Sequence, residues 1–201
     1  NRAQGDRLSG LVGFDALKAA NATVLLSPYL PLLFMGEEYG ETAPFLYFID
    51  NGDPALIEAV RQGRKREFAA FGWTDIPDPY DQETFERSKL RPCLETDRQQ
   101  QAHVKWCRAL IQLRKTIPAL GTGAKGDRVQ VGTHPKSQLL IIHRRAKQEP
   151  EALILIGFHH KSTLALAKLP KGQWENRIDG GTSTFGDQEE HQAPPNLATE
   201  K

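Results

Sequence analysis

Leu26-Ser27-Pro28-Tyr29-Leu30-Pro31-Leu32-Leu33-Phe34-Met35-Gly36-Glu37-Glu38-Tyr39-Gly40-Glu41 is the stretch on which the reading of this sequence turns. Its centre, Leu30 to Met35, is a short continuous apolar run that ends at a glycine. A run of that length without alternation suits a strand covered on both faces, as parallel sheets require. A helix is expected just before it, from Phe14 to Leu26. Leu17, Ala20 and Val24 recur there at helical spacing, Asp15 sits in the first turn, and Ser27-Pro28 closes the segment. Helix followed by buried strand points to an α/β fold.

Past the run, Glu37 to Gly52 has no clear period but carries the acids Glu37, Glu38 and Glu41 with the aromatics Tyr39, Phe45, Tyr47 and Phe48. Long loops of such mixed chemistry are often functional. A helix should start at Asp53-Pro54, with Asp53 as N-cap and Pro54 in the first helical position, and run through Leu56, Ile57 and Val60 towards Phe68. Gly72 to Asp97 is rich in turn residues, with at most a helical turn near Thr84. Thr96-Asp97-Arg98-Gln99 has capping-box spacing, after which Trp106, Leu110, Leu113 and Ile117 mark one helical face up to Pro118.

Near Gly123 the apolar period changes from helical to alternating, and a domain boundary is expected there. Arg128–Val131, Gln138–Arg145, Ala152–His159, Thr163–Leu169 and Gln173–Ile178 read as short strands of a small antiparallel β-domain, with a polar tail from Thr182 that should be partly disordered.

Charge excludes several classes of partner. The 26 Lys and Arg offset 25 Asp and Glu, so no field favours nucleic acid or an anionic membrane. The cluster Arg61, Arg64, Lys65, Arg66 therefore reads as a solvated helix face. The run Ala22 to Met35 is shorter than the roughly 18 to 20 residues that span a bilayer, and Pro28 and Pro31 interrupt it. Cys93 and Cys107 are too few for a disulfide framework, which fits a reducing, cytoplasmic setting. His134, His143, His159 and His160 lack carboxylate or cysteine partners at ligand spacing, so no metal and no cofactor are expected. Trp73, Trp106 and Trp174 read as packing residues.

The Gly36-Glu37-Glu38-Tyr39-Gly40-Glu41 ending, with the strand before it, resembles the last barrel strand and exit loop of α-amylase-type glycoside hydrolases, and within them the malto-oligosyltrehalose trehalohydrolases. Thr42-Ala43-Pro44-Phe45, Phe71-Gly72-Trp73, Pro77-Asp78-Pro79 and Thr84-Phe85 through Ser88-Lys89-Leu90 follow in the order of the same pattern. Isoamylases and glycogen-branching enzymes share the strand but match the later pieces less well.

The resemblance implies the C-terminal part of a (β/α)8 barrel at residues 1–122 and a C-terminal β-sandwich at 123–201. In such barrels the loops after the strands carry the active site. Glu37 and Glu38 would then hydrogen-bond sugar hydroxyls, or else pair with a barrel arginine or cap their own loop. Tyr39 and Phe45, with Tyr47 and Phe48, would offer apolar faces to glucose rings, or else be core. Arg2 would orient a family carboxylate. Asn1-Arg2 resembles the end of the motif that carries the third of the family's three active-site carboxylates, so all three are expected upstream of Asn1. The resemblance thus implies a parent enzyme that cleaves the α-1,4 bond next to the terminal trehalose of maltooligosyl trehalose, and no hydrolysis by this polypeptide alone. Expected partners are that malto-oligosaccharide substrate and the rest of the barrel. The rivals are a debranching or branching relative and a non-catalytic glucan-binding module.

Overall fold

A computed structural model describes residues 2–122, 128–146, 150–158 and 169–186, and the backbone alone of 196–199. Among the described residues five α-helices form, in chain order α1 (Leu8–Leu11), α2 (Phe14–Leu26), α3 (Pro54–Ala69), α4 (Gln82–Arg87) and α5 (Arg98–Thr116). The strands are β1 (Val129–His134), β2 (Leu139–Arg144), β3 (Ala152–Gly157), β4 (Gly172–Glu175) and β5 (Asn196–Thr199). The chain divides into two compact units, one of residues 1–13 and 35–93, the other of 14–34 and 94–201.

In the first unit, α3 starts as its sequence demands. The Asp53 carboxylate accepts from the Ala55 N–H at 2.9 Å, and Pro54, which has no N–H to leave unsatisfied, follows it. The helical turn near Thr84 is α4, capped by Asp81. Arg61 and Arg64 are not the freely solvated cations that the sequence suggested: their side chains are 33% and 12% exposed, and each is engaged. Arg61 pairs with Asp78 at 2.8 Å, which raises its pKa and lowers that of Asp78, while Arg64 pairs with Glu67 at 2.8 Å.

In the second unit, α2 and α5 pack together and against a three-stranded antiparallel sheet, β1-β2-β3. The register brings Leu140 opposite Ile156 and Ile142 opposite Ile154. These residues meet Ala22, Leu25 and Leu26 of α2 and Trp106 and Leu110 of α5 in one core. β4 and β5 form a separate antiparallel pair. The antiparallel sheet with helices agrees with the alternating pattern read after residue 128; the expected strand at 163–168, together with His159 and His160, lies outside the described residues.

Four expectations need correction. The run from Leu30 to Met35 forms no strand ladder among the described residues. Leu30 is 82% and Leu32 86% exposed, and of the run only Leu33 packs on the core. An apolar run becomes a buried strand only when neighbouring strands take its hydrogen bonds and helices cover its two faces, and among the described residues no strand pairs with it. The α5 cap is Asp97, one residue after Thr96: its carboxylate accepts from Gln99 and Gln100 N–H at 3.0 Å. On α2, Val24 is exposed while Lys18 and Asn21 are buried. Lys18 donates to the Gly180 carbonyl at 2.6 Å and pairs with Asp15, and Asn21 meets His103 at 2.7 Å, so tertiary partners override polarity there. His143 does have a carboxylate neighbour, Glu151 at 2.6 Å.

One buried cation had no signal in the sequence reading. Arg144 is 0% exposed. It follows Leu140 and Ile142 on the same face of β2, since side chains alternate along a strand. Its guanidinium donates to the carbonyls of Leu26, Ser27, Leu120 and Gly121 at 2.5–3.1 Å. Burial pulls its pKa down to about 10, with the charge of Arg114 adding to the effect. Arg114 likewise donates to Leu25, Ser27 and Tyr29 carbonyls, so two cations sit at the negative end of α2, where its dipole favours them.

Candidate functional site

The acidic, aromatic loop lies wholly in the first unit and is a tight turn held by one carboxylate. Gly36 has φ 87°, and a Cβ there would meet the Glu41 Cβ at 2.7 Å, so only glycine fits. A single 3-10 turn over Glu37–Tyr39 follows, and Gly40, at φ 70°, closes it. The chain doubles back so that the Glu41 N–H reaches the Gly36 carbonyl at 2.9 Å.

Glu41 then turns inward. It is 2% exposed, and its carboxylate accepts from the N–H groups of Thr42 and Ala43 at 2.7 Å, of Arg91 at 2.6 Å, and from the Tyr39 hydroxyl at 3.3 Å. Burial alone would raise its pKa. The three backbone donors, with the Arg91 guanidinium 3.3 Å away, outweigh burial and hold it below the usual value. Tyr39, by contrast, is raised by burial and by the charge of Glu41, so its phenol keeps its proton and donates to the Arg91 carbonyl at 3.0 Å as well.

Other groups fix the ends of the loop. Arg7 donates to the carbonyls of Met35 at 2.7 Å and Ala43 at 2.6 Å, and the Ser9 hydroxyl donates to the Glu41 carbonyl. Phe45 N–H bonds the Gly5 carbonyl at 2.9 Å, and the Ser88 hydroxyl accepts from Leu46 N–H at 3.0 Å while donating to Thr84.

Against this frame the residues singled out from the sequence differ in exposure and in partner. Glu37 and Glu38 are exposed on the turn, and Glu38 also caps it, accepting from Gly36 N–H at 3.0 Å. Phe45 and Phe48 are half-exposed and meet edge to face at 6.0 Å, with Phe85 5.0 Å beyond Phe48. Tyr47 lies under the Arg64 guanidinium at 4.7 Å. Tyr39 is buried, a support of the turn rather than part of its outer surface. Arg2 is exposed at the chain start, its carbonyl accepting from Gly5 N–H.

Sequence reasoning counted Glu41 only as one acid among three. Its partner Arg91 is 50 residues away, and no local spacing announces such a clamp. Arg7, Ser9 and Ser88 were missed for the same reason. Among the described residues no group of three or more His, Cys, Asp or Glu could hold a metal ion, and no helix is long and apolar enough to cross a membrane.

Comparison with known proteins places this arrangement. No family model matches the chain. A crystal structure from Salmonella typhimurium, provisionally assigned as an alpha amylase, superposes with a TM-score of 0.70 at 35% identity, covering 98% of this chain and 31% of that one. The fold of this chain is thus similar to that of about a third of the Salmonella protein. In sequence the chain is 43% identical over 122 residues to a malto-oligosyltrehalose trehalohydrolase of Rhizobium sp. (strain M-11), which is 60% of this chain and 20% of that protein. Enzymes of the same name match at 46% over 121 residues from Arthrobacter ramosus and at 44% over 115 residues from Saccharolobus solfataricus. The chain is a homologue of the malto-oligosyltrehalose trehalohydrolases, matching about a fifth of their length.

Proposed function

We propose that this chain is the C-terminal part of a cytoplasmic trehalose-releasing glycoside hydrolase, with residues 1–122 closing a (β/α)8 barrel and residues 123–201 forming a β-sandwich. The parent enzyme cleaves the α-1,4 bond next to the terminal trehalose of maltooligosyl trehalose. The observation that carries the reading is the clamped turn. Glu41 spends its carboxylate on three backbone N–H groups, and the turn it fixes presents Glu37 and Glu38 to solvent, with Phe45 half-exposed further along the same loop. A rigid rim of carboxylates and aromatic faces suits sugar hydroxyls and ring faces. Homology to enzymes that bear this name supports the substrate class.

Glu37, Glu38, Phe45 and Arg2 are the proposed substrate contacts, with Tyr39 acting through the turn. The exposed Leu30 and Leu32 fit a strand whose neighbours come from the remainder of the barrel. Retaining glycosidases need a nucleophilic carboxylate and a general acid about 5 Å apart, the acid with a raised pKa. Glu41, held low and sealed from solvent, suits neither role. On this proposal the reacting carboxylates belong to the remainder of the parent enzyme, and the chain alone is inactive.

The test is trehalose release from maltooligosyl trehalose, measured for an enzyme that carries this segment and for the purified chain. Release by the first and not by the second supports the proposal. Release by the chain alone, or action of the enzyme only on branched glucans, refutes it. Glu37→Ala in the enzyme should raise KM, and unchanged kinetics would remove Glu37 from the site.

A further inference from the structure

Beyond the rim loop, the end of α3 carries two exposed rings on a rigid base. The helix terminates in a glycine-centred reversal: Gly72 has φ 74°, its N–H bonds the Ala69 carbonyl at 3.0 Å, and the Trp73 N–H reaches back to the Phe68 carbonyl at 3.2 Å. This is the paired bonding of a Schellman end, which fixes the residue after the glycine against the last turn. The Trp73 ring accordingly stacks on Phe68, centroids 5.4 Å apart and planes 27° apart. Phe68 is buried, and the Arg64 guanidinium lies 4.5 Å from its ring. Phe71 leans on Trp73 at 5.9 Å with planes 35° apart.

The outer part of this row is open, with Phe71 69% exposed and Trp73 39%. Two large apolar rings held at the surface by backbone geometry are unusual without a partner. Arg64 and Glu67, in the last turns of the same helix, are paired with each other. An indole also presents an N–H at its edge. Apolar faces with a polar edge match a pyranose, which has C–H bonds on its face and hydroxyls around its rim. The 35° inclination decides between sugar chains: successive units of an α-1,4 glucan turn relative to one another, whereas a β-1,4 chain is flat and would favour coplanar rings.

We infer that Phe71 and Trp73 form a stacking platform for two successive glucose units of an α-1,4 glucan. The choice of glucan over other neutral sugars rests on the proposed function; the platform itself rests on the geometry above. Trp73 is built like a binding residue: one side is braced by Phe68, so little side-chain freedom is lost when a sugar covers it.

The experiment is a titration of the purified chain with maltoheptaose and, in parallel, with cellohexaose, followed by tryptophan fluorescence and by the indole N–H resonance of Trp73. Maltoheptaose should shift the Trp73 resonance with millimolar or tighter affinity, and cellohexaose should not. Trp73→Ala should abolish the fluorescence change and Trp73→Phe should retain binding. Phe71→Ala should weaken it about tenfold, the scale of one aromatic contact. Phe71 is largely exposed, so its variant should keep the wild-type melting curve and decides the matter if Trp73→Ala misfolds.

No shift of Trp73 with maltoheptaose, an equal shift with cellohexaose, or binding lost in Phe45→Ala but unchanged in Phe71→Ala each overturns the platform. The two proposals fail separately. Trehalose release by the parent enzyme without maltoheptaose binding at Trp73 sinks only the platform, and binding at Trp73 without trehalose release sinks only the proposed reaction.

Discussion

Replacing Glu41 should loosen the turn that carries the proposed rim, and the size of the effect follows from its bonds. Glu41→Ala removes the acceptor of three backbone N–H groups, of which that of Ala43 is buried and those of Thr42 and Arg91 are partly reached by water. A buried donor left without a partner costs about 1–3 kcal/mol. One fully buried donor and two partly hydrated ones therefore amount to about 3–5 kcal/mol. The Arg91 guanidinium is 61% exposed, and its ion pair with Glu41 adds little to this. Glu41→Gln keeps the volume and one oxygen, but turns an N–H group towards the donors that used the other oxygen, for about 2 kcal/mol.

The pH dependence has a definite sign. The folded pKa of Glu41 lies below its ordinary value of 4.5, because the backbone donors outweigh burial. Such a group contributes stability that is fully present above 4.5 and is lost as pH falls through the folded value. The gap between wild type and Glu41→Gln should therefore be full at neutral pH and shrink in acid below that point. Residue-resolved hydrogen exchange of the Thr42, Ala43 and Arg91 amides, with urea unfolding, reads both effects. A Glu41→Gln protein within about 0.5 kcal/mol of wild type at neutral pH, the scatter of ordinary surface changes, would refute the account. So would a gap that does not change with acid.

Three further outcomes are expected. Arg144→Met should destabilise the second unit by about 2–4 kcal/mol in urea unfolding, since it strips donors from four carbonyls, and Arg144→Lys should recover only part of this because an ammonium lacks the planar fork. Asp97→Ala should cost about 1 kcal/mol of stability and Thr96→Ala clearly less, a difference read by thermal melting that identifies the α5 cap. Leu30→Ser with Leu32→Ser should leave the melting of this chain within about 0.5 kcal/mol, as both side chains are exposed.

Local physics made much of the fold legible. α2, α3 and α5 follow from apolar residues recurring about every 3.6 positions, and the start of α3 from Asp53-Pro54, because caps and periodicity act within a few residues. The short apolar runs that became β2 and β3 are equally local. The motif through Glu41 pointed to the α-amylase-type enzymes, and the marked turn it contains depends on Gly36 and Gly40, which the sequence displays openly.

What the sequence left open is what distant partners decide. Glu37 and Glu38 face solvent while Glu41 is sealed because the donors that claim a carboxylate include Arg91 N–H, 50 residues on. Arg144 is buried because its β2 face meets carbonyls of α2 up to 118 residues away. Lys18 enters the interior, where Gly180 and Asp15 complete it, while Val24 is left 41% exposed among the described residues. The run from Leu30 to Met35 has the composition of a buried strand, but a strand's hydrogen bonds belong to its neighbours, so composition alone could not place it in a sheet. Periodicity, caps and turns were written in the sequence because they are short-range; burial of charge and completion of a sheet are long-range, and only the tertiary structure assigned them.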